Sequence, residues 1–384
     1  MKKIVIVQSV IPNYSMSFFN GIVEKDSDIE LYVIADIKSK NSLNQFDLNK
    51  AKFKVVHYKS YDFKFIKFHF GLRKLINSID PDTIVFSGDV RSPFYLCLMA
   101  YYKYINLNVF SWGMFHRIGP DKFTTNLIYK LYSYLSKSVL TYGQRGKNKL
   151  IDLKVKPNKI KVIGTAIDES ISLESAKNVD YLDVNKIKNK YDLNDCFVVL
   201  QVVRLSKIKK PMMLIDVADY IVNKNDNKNV KFILIGDGEL RPNIEREIKS
   251  KSLEENVILL GSIYSESELA KWFTLADIYV IPTCIGLSAH HAMSYGLPII
   301  TDNSYLNQAS EFELLFNGLN SLTYEEGDVM DFSLKIMNLL NNKNEVSLLS
   351  KNAKHTVTFI YNLDNKIFNF LQAIDYDDKK KNIN

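Results

Sequence analysis

Apolar runs of strand length alternate along this chain with longer segments whose apolar positions recur at helical spacing. The first series is KIVIVQSV, ELYVIAD, DTIVFSGD, LNVFSWG, SVLTYG and IKVIGTAID. A second series is CFVVLQVVRL, VKFILIGDG, NVILLGS, DIYVIPT, LPIITD and NSLTY. Strands that are apolar almost throughout, with helical segments between them, belong to parallel sheets covered on both faces. The pattern predicts an α/β protein of two Rossmann-like, doubly wound domains. The intervening ESISLESAKNVDYLDVNKIKNK is polar and has no strand pattern, so a linker is expected there. The expected boundaries are an amino-terminal domain over 1–170, a linker over 171–190 and a second domain over 191–360. Residues 361–384 then form a carboxy-terminal helix and a disordered tail ending in YDDKKKNIN.

Two membrane-directed readings fail on the same pattern. The opening MKKIVIVQSVIPNY has a basic pair and an apolar run, but Gln8, Ser9 and Pro12 interrupt it and no small-residue cleavage site follows. A buried first strand is expected instead. Residues 278–301 carry no Asp, Glu, Lys or Arg, a length that could span a bilayer. Pro282, Gly286, Gly296 and Pro298 divide the stretch into strand, turn, helix and strand, and two histidines at mid-depth oppose insertion.

At 384 residues the chain is long enough for two cores, and 46% hydrophobic with 24% charged residues is ordinary for a globular protein. Charge is uneven: residues 1–170 hold 26 Lys+Arg against 14 Asp+Glu, and residues 171–384 hold 24 against 29. A basic first half favours anionic lipid or a polyanionic substrate. Cys97, Cys196 and Cys284 form no CxxC pair and no disulfide framework, which fits a reducing cytoplasm.

Candidate chemistry gathers at predicted strand ends, where doubly wound sheets bind ligands. In VVRLSKIKKP, Arg204 and Lys209 are five residues apart, so a short loop can aim both cations into one pocket. Arginine is a forked phosphate ligand and lysine a point charge. In LIGDGELRPNIE, Gly236 and Gly238 permit a sharp turn, and Asp237 or Glu239 can cap the following helix. In IPTCIGLSAHHAM, Gly286 allows close approach to the backbone, and the amides of Leu287 and Ser288 open a helix start that favours an anion. Together these describe a diphosphate site. The adjacent His290 and His291 do not form a zinc pair, which needs i,i+4 spacing, and no neighbouring Cys or acid completes a ligand set. His291 lies one turn beyond Leu287 on the ligand side; His290 is rotated about 100° away and expected to pack inward.

In these stretches the chain resembles GT-B glycosyltransferases of the large retaining family 4 type. The resemblance covers nearly the whole chain and is strongest over 195–330. It is carried by VVRLSKIKK, LIGDGELR, NVILLGSIYSESELAKWFTLADIYVIPT, GLSAHHAMSYGLPIITD and SEFELLFNGLNSLTYEEGD, and by KPNKIKVIGTAID in the first half. It implies two domains facing across a cleft. The family's two motif glutamates correspond here to Thr283 and His291, so the chain is similar to a branch with histidine at the second position. The resemblance gives His291 the nucleotide ribose, leaves the donor-sugar contact at Thr283 open, and makes Glu311 the candidate to replace it. It makes His116, in SWGMFHRIG, the candidate contact to the donor sugar. Pro12, Asn13 and Tyr14, in the turn that replaces the usual glycine-rich first loop, and Arg117 are expected on the acceptor side.

The expected activity is transfer of a sugar, with retention, from a nucleotide-diphosphate sugar to a growing surface polysaccharide or lipid-linked glycan. Arg204 and Lys209 would stabilise the leaving diphosphate, with neither a metal nor a cofactor. Competing readings are a degenerate, non-catalytic partner protein and a sugar-nucleotide epimerase of the same fold. YDFKFIKFHFGLRK interleaves Phe63, Phe65, Phe68 and Phe70 with Lys64, Lys67, Arg73 and Lys74, which suits a membrane interface. Nothing like an RNA-binding motif accompanies it, so no nucleic-acid partner is expected. The expected location is the cytoplasm, peripheral on the inner face of the cell membrane.

Overall fold

The predicted strands are present, and their alternate residues enter opposite layers. Ile4 and Ile6 join one apolar cluster while Val5 and Val7 join another; Val198 and Leu200 are likewise divided from Val199. A strand buried on both faces leaves no polar side to face water, which is why these runs are apolar throughout. The computed structural model describes residues 1–36, 48–64 and 66–375. The tail 376–384, expected to be solvated, lies outside the described residues.

The chain divides into two units: Met1–Asp168 with the chain from Leu363 onward, and Glu169–Asn362. The first holds a seven-stranded parallel sheet. Its spatial order is Lys54–His57, Ile29–Ala35, Lys2–Val7, Thr83–Ser87, Asn108–Gly113, Val139–Thr141, Ile160–Val162. The second holds a six-stranded parallel sheet in the order Val257–Gly261, Val230–Ile235, Phe197–Val202, Ile278–Val280, Ile299–Asp302, Ser321–Tyr324. In both, the order reverses beside the first strand, the doubly wound arrangement expected from the pattern.

Two boundaries differ from the sequence reading. Residues 171–190 are not an open linker: helices Glu169–Lys177 and Tyr181–Lys190 occupy them and belong to the second unit. Asp180 caps the second helix, its carboxylate accepting from the Leu182 amide at 2.8 Å. Each helix buries a single residue, Ser172 and Val184, so its composition looks like that of a solvated connection. The carboxy-terminal helix Leu363–Asp375 returns to the first unit, where Ile367, Phe370, Ala373 and Ile374 enter the cluster containing Phe18 and Trp112. Burying one such side chain contributes about 1.5–3 kcal/mol. Lys366 Nζ donates to the Ala166 carbonyl at 3.0 Å, and Gly21 admits the Ile367 methyl where a Cβ would sit 2.3 Å away.

Candidate functional site

In the second unit the strand order reverses between Phe197–Val202 and Ile278–Val280, and the loops leaving these strands meet there. Connections that diverge at this point leave a crevice at the carboxyl edge of the sheet. Lys209 ends the short 3₁₀ turn Lys207–Lys209, and its ammonium donates to the Cys284 carbonyl on the opposite loop. Cys284 is buried with φ +55°, a left-handed conformation uncommon outside glycine. The loop is pinned from behind. The Ile285 amide donates to Gln308 Oε1 at 2.7 Å, Gln308 Nε2 donates to Asp302 Oδ1 at 2.7 Å, and Tyr324 donates to the Pro282 carbonyl at 2.6 Å. Burial pushes the Cys284 thiol up, and the charges of Glu311 and Asp302 act in the same direction against that of Lys209. Lys209 and Glu311 therefore both act on this corner. Thr283 is buried, its hydroxyl close to the Asp302 carboxylate.

Gly286 differs from the other glycines of the site. A Cβ added there would meet only Lys209 Nζ, at 3.9 Å, and its φ is not in the left-handed region. Neither packing nor backbone geometry requires glycine, so its effect is to leave space beside the ammonium. Helix Ser288–Ser294 follows, with Leu287 at its N-cap.

The Gly236–Gly238 turn does structural work at the same edge. Gly236 has φ +143°, and an added Cβ would lie 1.8 Å from the Val203 carbonyl oxygen; at Gly238 it would lie 2.4 Å from that of Leu205. Asp237 accepts from the Gly238 amide at 2.7 Å and pairs with Arg241 at 3.5 Å. Helix Arg241–Ser250 begins at Leu240 without a side-chain cap, so neither Asp237 nor Glu239 caps it, contrary to expectation. Glu239 instead accepts from the Lys207 amide at 3.2 Å. Its own backbone and that of Lys207 hold its carboxyl below the usual range, with the Arg204 charge adding to this. Arg204, set between Val203 and Leu205, is exposed; its carbonyl accepts from the Ser206 amide at 2.8 Å, and its guanidinium forms no hydrogen bond or ion pair among the described residues.

The two histidines part company. His290 is fully buried. The ring of His291 is half-buried, and its Nε2 lies 2.9 and 2.8 Å from the two Glu266 carboxylate oxygens. Sequence reading missed Glu266, and likewise Gln308 and Tyr324, since nothing local to them marks a contact with this loop.

In the first unit the corresponding reversal lies between Lys2–Val7 and Thr83–Ser87. Ser9 donates to Asp89 Oδ2 across it at 3.3 Å, and Arg91 holds the same carboxylate through Nε and Nη2. Burial pushes Asp89 up, but the Arg91 hydrogen bonds and charge outweigh it, and the carboxyl stays below its ordinary range. Asp89 was also missed. Pro12, Asn13 and Tyr14 form the expected turn, with Asn13 and Tyr14 exposed. His116 is buried, with Nδ1 3.4 Å from the Arg117 carbonyl. Burial, then the Arg145 charge, lowers its pKa to about 4, so it is neutral at physiological pH. Arg117 turns onto its own loop, donating to the Pro120 carbonyl at 3.0 Å. Among the described residues no group of three or more His, Cys, Asp or Glu is placed to hold a metal ion.

Two Rossmann-like units of this topology define the GT-B fold. Residues 183–356, most of the second unit, match the family described as "Glycosyl transferases group 1". Over the whole chain, the structure superposes on HepE of Anabaena solved in complex with UDP, with a TM-score of 0.75. That match covers 98% of this chain and all of the other at 17% identity, a likeness of fold. Among curated proteins, the capsular polysaccharide biosynthesis glycosyltransferase CapM of Staphylococcus aureus is 27% identical over 246 residues, 62% of this chain and 61% of CapM. The UDP-Gal:alpha-D-GlcNAc-diphosphoundecaprenol alpha-1,3-galactosyltransferase of Escherichia coli is 25% identical over 222 residues, 56% of this chain and 54% of that enzyme.

Proposed function

We propose that this protein is a glycosyltransferase that moves a sugar from a nucleotide-diphosphate sugar to a growing surface polysaccharide or lipid-linked glycan, with retention at the anomeric carbon. The observation that carries the reading is the Lys209 ammonium facing open space at Gly286, at the reversal of the second sheet. An ammonium so placed, with Arg204 on the same loop, suits a diphosphate. As the bond from the anomeric carbon to the diphosphate oxygen breaks, charge grows on that oxygen and the two cations stabilise it. The acceptor hydroxyl attacks the same face of the sugar and passes its proton to the departing diphosphate oxygen, a route that needs no dedicated nucleophile from the protein. Glu311 is the candidate contact to the donor sugar. The match to the group 1 family, CapM and the galactosyltransferase support the reaction class, and the two relatives' names support a glycan or lipid-linked acceptor.

Thermal melting against a panel of UDP-, GDP-, ADP- and TDP-sugars tests the reading. One nucleotide class is expected to raise Tm, since a ligand at a hundred times its Kd stabilises by about 2.7 kcal/mol, and that sugar should appear on a glycan or lipid-linked acceptor. No shift with any donor, together with no transfer, overturns it.

We further propose that the first unit contacts anionic membrane. Tyr61–Phe63 and Ile66–Phe68 form an antiparallel hairpin on which Phe63 is 63% exposed; Phe70 beyond it is 69% exposed and stacks with Phe68. Phe65 lies outside the described residues. Helix Phe123–Leu135 exposes Phe123, Leu127, Leu131 and Tyr134 along one face, with Lys122 and Lys130 exposed beside it. No helix among the described residues is long and apolar enough to cross a membrane. The protein is expected to sediment with vesicles containing phosphatidylglycerol and to be released by salt. Equal retention by neutral and anionic vesicles at low salt overturns the proposal.

A further inference from the structure

We propose that Glu266 is a positioning residue that gives His291 the hydrogen-bonding character of a carboxylate toward the nucleoside of the donor. The inference rests on the nucleotide-sugar reading and adds to it a residue that no motif marks.

Glu266 opens the helix Glu266–Leu275, which follows the strand Val257–Gly261 at the same carboxyl edge of the sheet. Three side chains, from helix Ser288–Ser294 with its C-cap and from helix Glu169–Lys177, converge on its carboxylate. Besides His291 Nε2 at 2.9 and 2.8 Å, Tyr295 donates to Oε1 at 2.8 Å and Ser172 donates to the same oxygen at 3.2 Å. Burial pushes the Glu266 carboxyl up, but the hydrogen bonds it accepts, from His291 first and then Tyr295 and Ser172, hold the group below its ordinary value. The imidazole is also held through its face. Phe273 lies against it at 5.2 Å between ring centroids and itself stacks on Tyr295 at 4.9 Å. Ring rotation would break the carboxylate contact and disturb this packing.

The pair is not core filling. The two side chains keep 23% and 26% of their surface exposed, whereas the neighbouring His290 is fully buried. A neutral imidazole carries one N–H and one lone pair, and a carboxylate only accepts. In the neutral ring Glu266 therefore selects the tautomer with the proton on Nε2, which leaves the lone pair on Nδ1. At Nδ1 the residue then accepts from a hydroxyl, as a glutamate at that position would. The carboxylate absent from position 291 is present one helix away and acts through the ring. Replacing Glu266 by Gln leaves the shape but presents either an oxygen or an NH₂ to Nε2, so the proton position is no longer selected.

The test is calorimetric titration of the full chain with UDP, GDP, ADP and TDP, with Tm measured in parallel, on wild type, Glu266→Gln, His291→Glu and the double variant. Against the nucleotide that binds wild type, Glu266→Gln is expected to weaken affinity about fivefold, the worth of one neutral hydrogen bond. His291→Glu supplies the carboxylate directly and should stay within about threefold of wild type, but it sets two like charges together. Adding Glu266→Gln to it should then improve affinity, so the sign of the Glu266→Gln effect reverses. A fall in Tm for Glu266→Gln with affinity unchanged makes Glu266 purely structural and overturns the proposal. Equal weakening in both backgrounds overturns it too, because the carboxylate then does not act through His291. If wild type binds none of the four nucleotides, the nucleotide-sugar reading itself falls, and this inference with it.

Discussion

Lys209→Ala is expected to lower turnover about ten- to a hundredfold while leaving the donor Michaelis constant within about threefold, and Arg204→Ala to act in the same direction. A charge-assisted hydrogen bond is worth roughly 1.5–3 kcal/mol, and here that energy develops mainly as the diphosphate leaves. An interaction stronger in the transition state than in the ground state appears in turnover, not in donor affinity. Lys209 also ties two loops together through the Cys284 carbonyl. Its removal will therefore loosen the corner, and Tm must be recorded beside the kinetics. Arg204 has no such tie among the described residues, so Arg204→Ala separates charge from architecture. The measurement is steady-state kinetics with donor and acceptor varied in turn. A raised Michaelis constant with unchanged turnover in both variants would show that the cations hold the donor equally in both states, and the charge-stabilisation role would fail.

Gly236→Ala is expected to be the most destabilising single-methyl change at the site. Its added Cβ would lie 1.8 Å from the Val203 carbonyl oxygen, a backbone atom that cannot swing aside, and φ is +143°, a region nearly closed to other residues. Backbone strain costs about 1–3 kcal/mol and overpacking about 1–3 kcal/mol more. At about 2–4 °C per kcal/mol for a domain of this size, Tm should fall by roughly 10 °C. Gly286→Ala supplies the contrast. Its methyl meets nothing nearer than Lys209 Nζ at 3.9 Å, so Tm should hold while donor affinity falls as the space beside the ammonium fills. Scanning calorimetry with nucleotide titration decides both. A Gly236→Ala protein that melts within about 2 °C of wild type would mean that the two loops can separate at little cost.

Periodicity and turn chemistry made much of this protein legible. Strands read as apolar on both faces are covered on both faces, because a run such as Ile4–Val7 has no residue able to face water. The glycine turns appear at strand ends as expected, and Arg204 and Lys209 lie on the loop that their spacing placed after Phe197–Val202. Composition misled where burial is slight. The helices Glu169–Lys177 and Tyr181–Lys190 each bury one residue, and so resemble a linker.

By itself, the sequence determined the fold class, the doubly wound order of two units, and which strand ends carry cations and glycines. Those are local properties, written in spacing. Tertiary structure alone decided what each side chain meets. His291 is joined to Glu266 across 25 residues, Ser9 to Asp89 across 80, the Ile285 amide to Gln308 across 23, and Pro282 to Tyr324 across 42. It also decided that Leu363–Asp375 returns to the first unit while Glu169–Lys190 belongs to the second. Such pairings arise where parallel strands bring distant loops to one edge of a sheet. Neither a hydrophobic period nor a turn signal extends far enough along the chain to record them.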